Sequence, residues 1–382
     1  MDHKLLFEEI DRLYPQYLKV WEDVCNMESP TLYKEGVDKV GEYFINMAKE
    51  RGWKIDVLEQ KVAGNAITIT LNPDAKAAPV ALSGHIDTVH PIGLFPAPAV
   101  TFDEENIYGP GVTDCKGGVV ASFLAMDALD RCGYRERPVI LIIQSDEETS
   151  SITSNHETIR YMCDQAKDAV AFLNTEGMNK GTLIVSRKGI IRYEMTVHGT
   201  AGHSSRCYEA ANAITEAAHK IIELEKMKDK NGLTCNCGVI KGGSVANTVA
   251  EVCVFTADIR FADSKQLEWA KNKIKEVAEN STVNGCWCEV REVSFRPAME
   301  GVPANYQLAA RINEINEQVG LPILRARRGE GGADSAYTTQ AGIPTVDSIG
   351  VIGACIHSRK EYAVKSSLAY SAKQQAAVVC FI

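Results

Sequence analysis

The chain has 382 residues, 45% of them hydrophobic and 24% charged, with 41 Lys and Arg against 50 Asp and Glu for a formal net charge of −9. This is a globular composition, long enough for two or three domains. With no Lys/Arg stripe to meet phosphates, it excludes nucleic acid and anionic membrane surfaces as partners. No apolar run reaches the roughly 18 residues of a transmembrane helix. The N-terminal MDHKLLFEEIDRLYPQYLKVWEDV mixes acids with apolar residues instead of forming a signal-peptide core, so a cytoplasmic location is expected, with the 12 cysteines reduced.

In chain order, Val37, Val40, Phe44 and Met47 sit at helical spacing, and AITITL then switches to strand composition. PVALSGHID, RPVILIIQSDEE and AVAFLNTEG are short, continuously apolar runs flanked by turn residues, as expected of central strands covered on both faces. Between them GGVVASFLAMDALDRCG reads as a helix that starts after the pair Gly117-Gly118 and ends near Gly133. The result is an α/β domain with a helix-covered, mostly parallel sheet.

The middle of the chain has a different rhythm. IIRYEMTVHG reads as a strand, YEAANAITEAAHKIIELEKMKD as one long helix from Tyr208, and LTCNCGVIKGG and AEVCVFTADIRF as two strands. DSKQLEWAKNKIKEVAEN and CWCEVREV complete a β-α-β-β-α-β unit over residues 187–294, the ferredoxin-like pattern. A helix in YQLAARINEINEQVG, a strand in GIPTVDSIG and a closing helix in SSLAYSAKQQAAVVCFI return to the first style. The expected organisation is therefore a discontinuous domain of residues 1–186 and 295–382 with an inserted domain, 187–294. Two C-x-C pairs, Cys235/Cys237 and Cys286/Cys288, read as ordinary strand cysteines, because structural zinc sites favour C-x₂-C spacing.

In an open α/β sheet, sites form beyond the carboxyl ends of the strands. The apolar runs end at His85 and Asp87, at Glu147 and Glu148, and at Glu176; loops add Asp114 and His357. Singly, each is an ordinary turn or surface residue, and it is their convergence on one sheet edge that carries weight. Two imidazoles and three or more carboxylates suit zinc, with cobalt or manganese as substitutes. In an extended segment Glu147 and Glu148 would point to opposite sides, leaving one to ligate and the other to handle a proton. Asp87 shares a face with His85 and is placed to accept the second imidazole N–H.

SGHIDTVHP, YGPGVTDCKGG, SDEETSS, NTEG, HGTAGHSS, GGSVANTV with ADIR, GGADSA and GACIHSRKEY stand in the order found in metallopeptidase family twenty. The chain resembles that family of co-catalytic zinc amidohydrolases, and most of all its glutamate carboxypeptidase-like branch. The resemblance implies two zinc ions per subunit, one held by His85 and Glu176, the other by Glu148 and His357, with Asp114 bridging. It makes Glu147 the general base, Asp87 the residue that orients His85, and Asn247 and Arg260 the holders of a substrate carboxylate. It also implies a homodimer through the inserted domain, His203 reaching the partner's site, and a cis peptide at Asp114–Cys115. His90 has no metal role by this reading.

The implied activity is hydrolysis of an amide bond in a small peptide or N-acyl amino acid, as a carboxypeptidase- or dipeptidase-like exopeptidase. An N-acyl amino acid deacylase, of the acetylornithine deacetylase or desuccinylase kind, is the alternative on the same metal core. A metal-free binding protein on this fold is a third, set back by the presence of all five expected ligands and the base.

Overall fold

A computed structural model describes residues 1–229 and 232–382. The chain divides into two compact units, residues 1–186 with 301–328 and 333–382, and residues 187–300 with 329–332. Among the described residues no helix is long and apolar enough to cross a membrane.

The first unit is built on a six-stranded sheet in the order Lys54–Leu58, Ala66–Leu71, Val139–Gln144, Val80–His85, Ala171–Asn174, Thr345–Val346. The last four strands run parallel, while the strand Ala66–Leu71 is antiparallel to both its neighbours. The three central runs identified from the sequence are fully or almost fully buried, as strands covered on both faces must be. Register is what matters for function: Val80 pairs with Val139 and His85 with Gln144, while Ser83 pairs with Asn174. The polar residues that follow each run thus emerge at one level of one edge.

Helices His3–Cys25, Lys116–Arg131 and Ser367–Phe381 pack against one another. The aromatic centre of that layer is Phe123, whose ring centroid lies 5.0 Å from Trp53, 5.8 Å from Phe44 and 6.4 Å from Tyr17. Beside it Asp127, almost fully buried, accepts from the Tyr17 hydroxyl at 2.7 Å and pairs with Arg51 at 2.7 Å.

Three local expectations in this unit need correction. The Lys116–Arg131 helix does not start after the Gly pair but contains it. Gly118 is there for contact, since a Cβ on it would stand 1.9 Å from the Thr175 carbonyl oxygen. The strand expected in GIPTVDSIG is only Thr345–Val346. Glu147 and Glu148 are not extended; they open a single 3₁₀ turn, Glu147–Thr149.

The second unit is a four-stranded antiparallel sheet in the order Thr234–Gly242, Val252–Phe261, Gly189–His198, Trp287–Arg296. Helices Ala213–Glu225 and Ser264–Glu279 cover one face. Along the strand Gly189–His198 every second residue is buried, so Ile191, Tyr193, Met195 and Val197 face the helices. This is the ferredoxin-like order. The helix expected from Tyr208 begins later, at Ala213, because Asn212 caps it: its side-chain oxygen accepts from the N–H groups of Ile214 (2.9 Å) and Thr215 (3.3 Å). Residues Ser204–Glu209 form a separate 3₁₀ segment.

Candidate metal centre

His85 is the last residue of its strand and almost fully buried, and its ring is fixed from behind. Nδ1 lies 3.0 Å from the Asp87 carbonyl and 3.2 Å from Asp87 Oδ1, which leaves Nε2 aimed forward. Asp87 is itself fully buried. Its carboxylate accepts from the Thr31 hydroxyl (2.7 Å) and from the N–H groups of Glu147 and Glu148 (3.2 Å each). One carboxylate therefore orients the imidazole and also clamps the 3₁₀ turn that carries both glutamates.

In front of His85 Nε2 stand Asp114 Oδ1 at 3.1 Å and Glu176 Oε1 at 3.7 Å. The other oxygen of Asp114 lies 3.0 Å from His357 Nε2, which is also 3.2 Å from Glu148 Oε2. Five donors from five chain segments converge, and Asp114 faces an imidazole with each oxygen. The Asp114–Cys115 peptide is cis, as the resemblance implied.

The electrostatics are those of a crowded carboxylate site. Burial, reinforced by the Asp114 charge, raises Glu148 to about 7 although His357 opposes it, and burial next to Asp114 lifts Glu176 well above the usual carboxylate range. Burial would raise Asp114 too, but hydrogen bonds from His357 and His85 outweigh it and hold its carboxyl low. Hydrogen bonds to Asp114 and Glu148 raise His357 to about 10. Burial works against a charged His85, yet Cys115, Asp114 and Asp87 together lift it well above a free imidazole. Three acids and two imidazoles, drawn together with their charges unbalanced, fit a divalent cation: the donors are nitrogen and oxygen, and His85 and His357 each have Nε2 turned to the shared carboxylate.

Two residues that sequence reasoning left unassigned shape this centre. Glu361, buried and four residues after His357, accepts from the backbone N–H groups of Gly111 (3.1 Å), Thr113 (2.8 Å) and Asp114 (3.0 Å). His90 Nε2 stands 3.4 Å from the same carboxylate, so His90 serves the loop of Asp114 rather than the donor cluster. Thr31, through Asp87, is the other. The spacing of His357 and Glu361 was visible, but nothing local distinguishes that glutamate from the neighbouring Arg359 and Lys360.

The remaining predicted residues belong to the second unit. His203 is exposed, with Nδ1 2.8 Å from the Ser205 hydroxyl, and it pairs with Thr248 in a two-stranded ribbon. Asn247, just before the strand Thr248–Val249 of that ribbon, accepts the Ser204 N–H on its carbonyl at 3.0 Å. Arg260 lies on another strand, its Nε 3.3 Å from Asp258 and one terminal nitrogen 3.4 Å from the Glu330 carbonyl.

Two family models match the chain, in overlapping ranges. One described as a peptidase dimerisation domain matches residues 185–286, and one described as peptidase family M28 matches residues 66–232. Carboxypeptidase G2 of Pseudomonas sp. (strain RS-16) is 25% identical over 363 residues, covering 93% of this chain and 86% of that protein. Succinyl-diaminopimelate desuccinylase of Roseobacter denitrificans is 25% identical over 306 residues, covering 73% and 77%. The chain is similar to members of metallopeptidase family twenty over most of its length. Its fold is shared with solved members, among them an M20 family metallo-carboxypeptidase of Sulfolobus solfataricus. That structure superposes with a TM-score of 0.71 at 16% identity over 96% of this chain and 98% of that one.

Proposed function

We propose that this chain is a dinuclear-zinc exopeptidase that cleaves an amide bond in a small peptide or N-acyl amino acid bearing a free carboxylate. The observation that carries the reading is the double approach to Asp114, whose two oxygens face imidazoles from opposite ends of the chain. A carboxylate so placed could be shared by two cations. His85 and Glu176 would hold one ion, Glu148 and His357 the other, with cobalt or manganese as substitutes. Bound there, the ions supply a Lewis acid for the scissile carbonyl and lower the pKa of a water at the site.

The chain's own residues supply the rest. Glu147, on the turn clamped by Asp87, takes the proton of the attacking water and delivers it to the leaving nitrogen. Asp87 keeps His85 in the tautomer that carries its proton on Nδ1. Asn247 and Arg260 hold the substrate carboxylate. His203 from a second copy, joined through the ferredoxin-like unit, opposes the oxyanion charge. A cytoplasmic setting is part of the same reading.

A second reading, deacylation of an N-acyl amino acid, is favoured by the desuccinylase likeness and uses the same centre. A panel of dipeptides and N-acyl amino acids with the zinc-loaded protein separates the two. The base assignment is tested by Glu147→Ala, which should keep its metal and lose about 10²–10⁴-fold in turnover; full activity in that variant would sink it.

A further inference from the structure

The chain holds two C-x-C pairs with the same spacing, and the fold treats them differently. Cys235 lies in the edge strand Thr234–Gly242, opposite Ile259, and is 2% exposed. The ladder then slips: Asn236 pairs with Asp258, but the next pair is Val239 with Thr256, so Cys237 and Gly238 together oppose one residue. Released from the ladder, the Cys237 N–H is taken by Glu225 Oε1 of the covering helix at 2.9 Å. The half-buried Cys237 packs against the same core that holds Cys235, two residues away. In the second pair, Cys286 sits in a turn, bonded to the Val283 carbonyl at 3.1 Å, ahead of the strand that begins at Trp287. Cys288 gives its thiol to the Glu289 carbonyl at 3.4 Å.

We propose that Cys235 and Cys237 form a dithiol site that a low-molecular-weight disulfide oxidises to an intrastrand disulfide. Residues two apart on a strand stand about 6–7 Å apart, the upper end of what a disulfide spans, and the bulge supplies the slack. Cys237 attacks first: it is the more accessible thiol, and the neighbouring Cys235 thiol, with a smaller part from Lys228, favours its thiolate against burial and the Glu225 charge. Its sulfur bonds to one sulfur of the co-reactant, whose S–S bond breaks and releases one thiolate. Cys235 then loses its proton, its sulfur bonds to that of Cys237, and the second thiolate leaves. Two cysteines are oxidised, one external disulfide is reduced to two thiols, and the two cysteine protons end on them.

The test uses the full chain with oxidised glutathione, then alkylation and peptide mass mapping. The peptide holding Cys235 and Cys237 should lose the mass of two hydrogens at least about tenfold faster than the one holding Cys286 and Cys288, which should stay alkylated on both thiols. Cys235→Ser should stall as a glutathione adduct on Cys237, and the alkylation pattern of the unsubstituted chain stands if that variant folds poorly. Equal closure of both pairs, or a Cys237 that remains alkylated, overturns the proposal. Neither result bears on the metal reading.

Discussion

Replacing Glu361 by Gln would separate the metal centre from the loop that holds it. The carboxylate gathers three backbone N–H groups, two on Oε1 and the one of Gly111 on Oε2, where His90 also stands. An amide that keeps its oxygen toward Thr113 and Asp114 must turn an NH₂ toward the Gly111 N–H. A bond to an ionised group contributes about 1.5–3 kcal/mol and a neutral one about 1. Two bonds weakened by about 1 kcal/mol each, and a third lost for about 2, give about 4 kcal/mol against the native loop. Part of this falls on folding and part on Asp114, and outer-shell losses typically weaken metal binding by about 10–100-fold. Chelator competition for bound zinc measures the second part, and urea unfolding of the chelated protein the first. A Glu361→Gln protein that holds zinc within about twofold of the native chain would refute the idea that this carboxylate positions Asp114.

Gly118→Ala should be among the most damaging small substitutions, because its methyl must displace the Thr175 carbonyl next to Glu176. A loss of about 3 kcal/mol or more by chemical denaturation is expected, together with reduced zinc content, and near-native stability would show that the contact yields. Asp127→Asn leaves Arg51 without its buried partner and should cost about 3–5 kcal/mol at neutral pH. Burial alone would raise the Asp127 carboxyl, but hydrogen bonds from Arg51, Tyr17 and Arg131 bring it below the ordinary value. Its stabilisation is therefore present above the unfolded pKa and fades as pH falls through the folded one, so the gap to the variant should narrow below about pH 4; a gap constant from pH 7 to 3 contradicts this. Zinc added to chelated protein in weak buffer at neutral pH should release protons. His357, raised to about 10 in the metal-free site, must give one up before its Nε2 can ligate, and a flat pH trace would exclude it as a ligand.

The donor cluster was legible in the sequence because a parallel sheet turns sequence position into height. Three apolar runs in register Val80 to Val139 and Ala171 must end at one level, so whatever follows them meets, and His85, Glu148 and Glu176 follow them. Asp114 and His357 were picked out as loop residues, but their roles needed the family resemblance, since loops carry no such ruler. Glu361 and Thr31 escaped because their work is long-range: Glu361 bonds N–H groups about 250 positions away, and in sequence it is one charge among Arg359, Lys360 and Glu361. The Gly117-Gly118 pair was misread for a related reason. Glycine before an apolar run signals a helix boundary when only propensity is weighed, and a close backbone approach when the neighbour is known. Here the neighbour is Thr175, next to a proposed ligand, so the glycine that looked like punctuation sets how near the helix can come to the metal centre. Both errors run the same way: local rules assign a residue to its own segment, and at this site the segments are held by residues that belong, energetically, to one another.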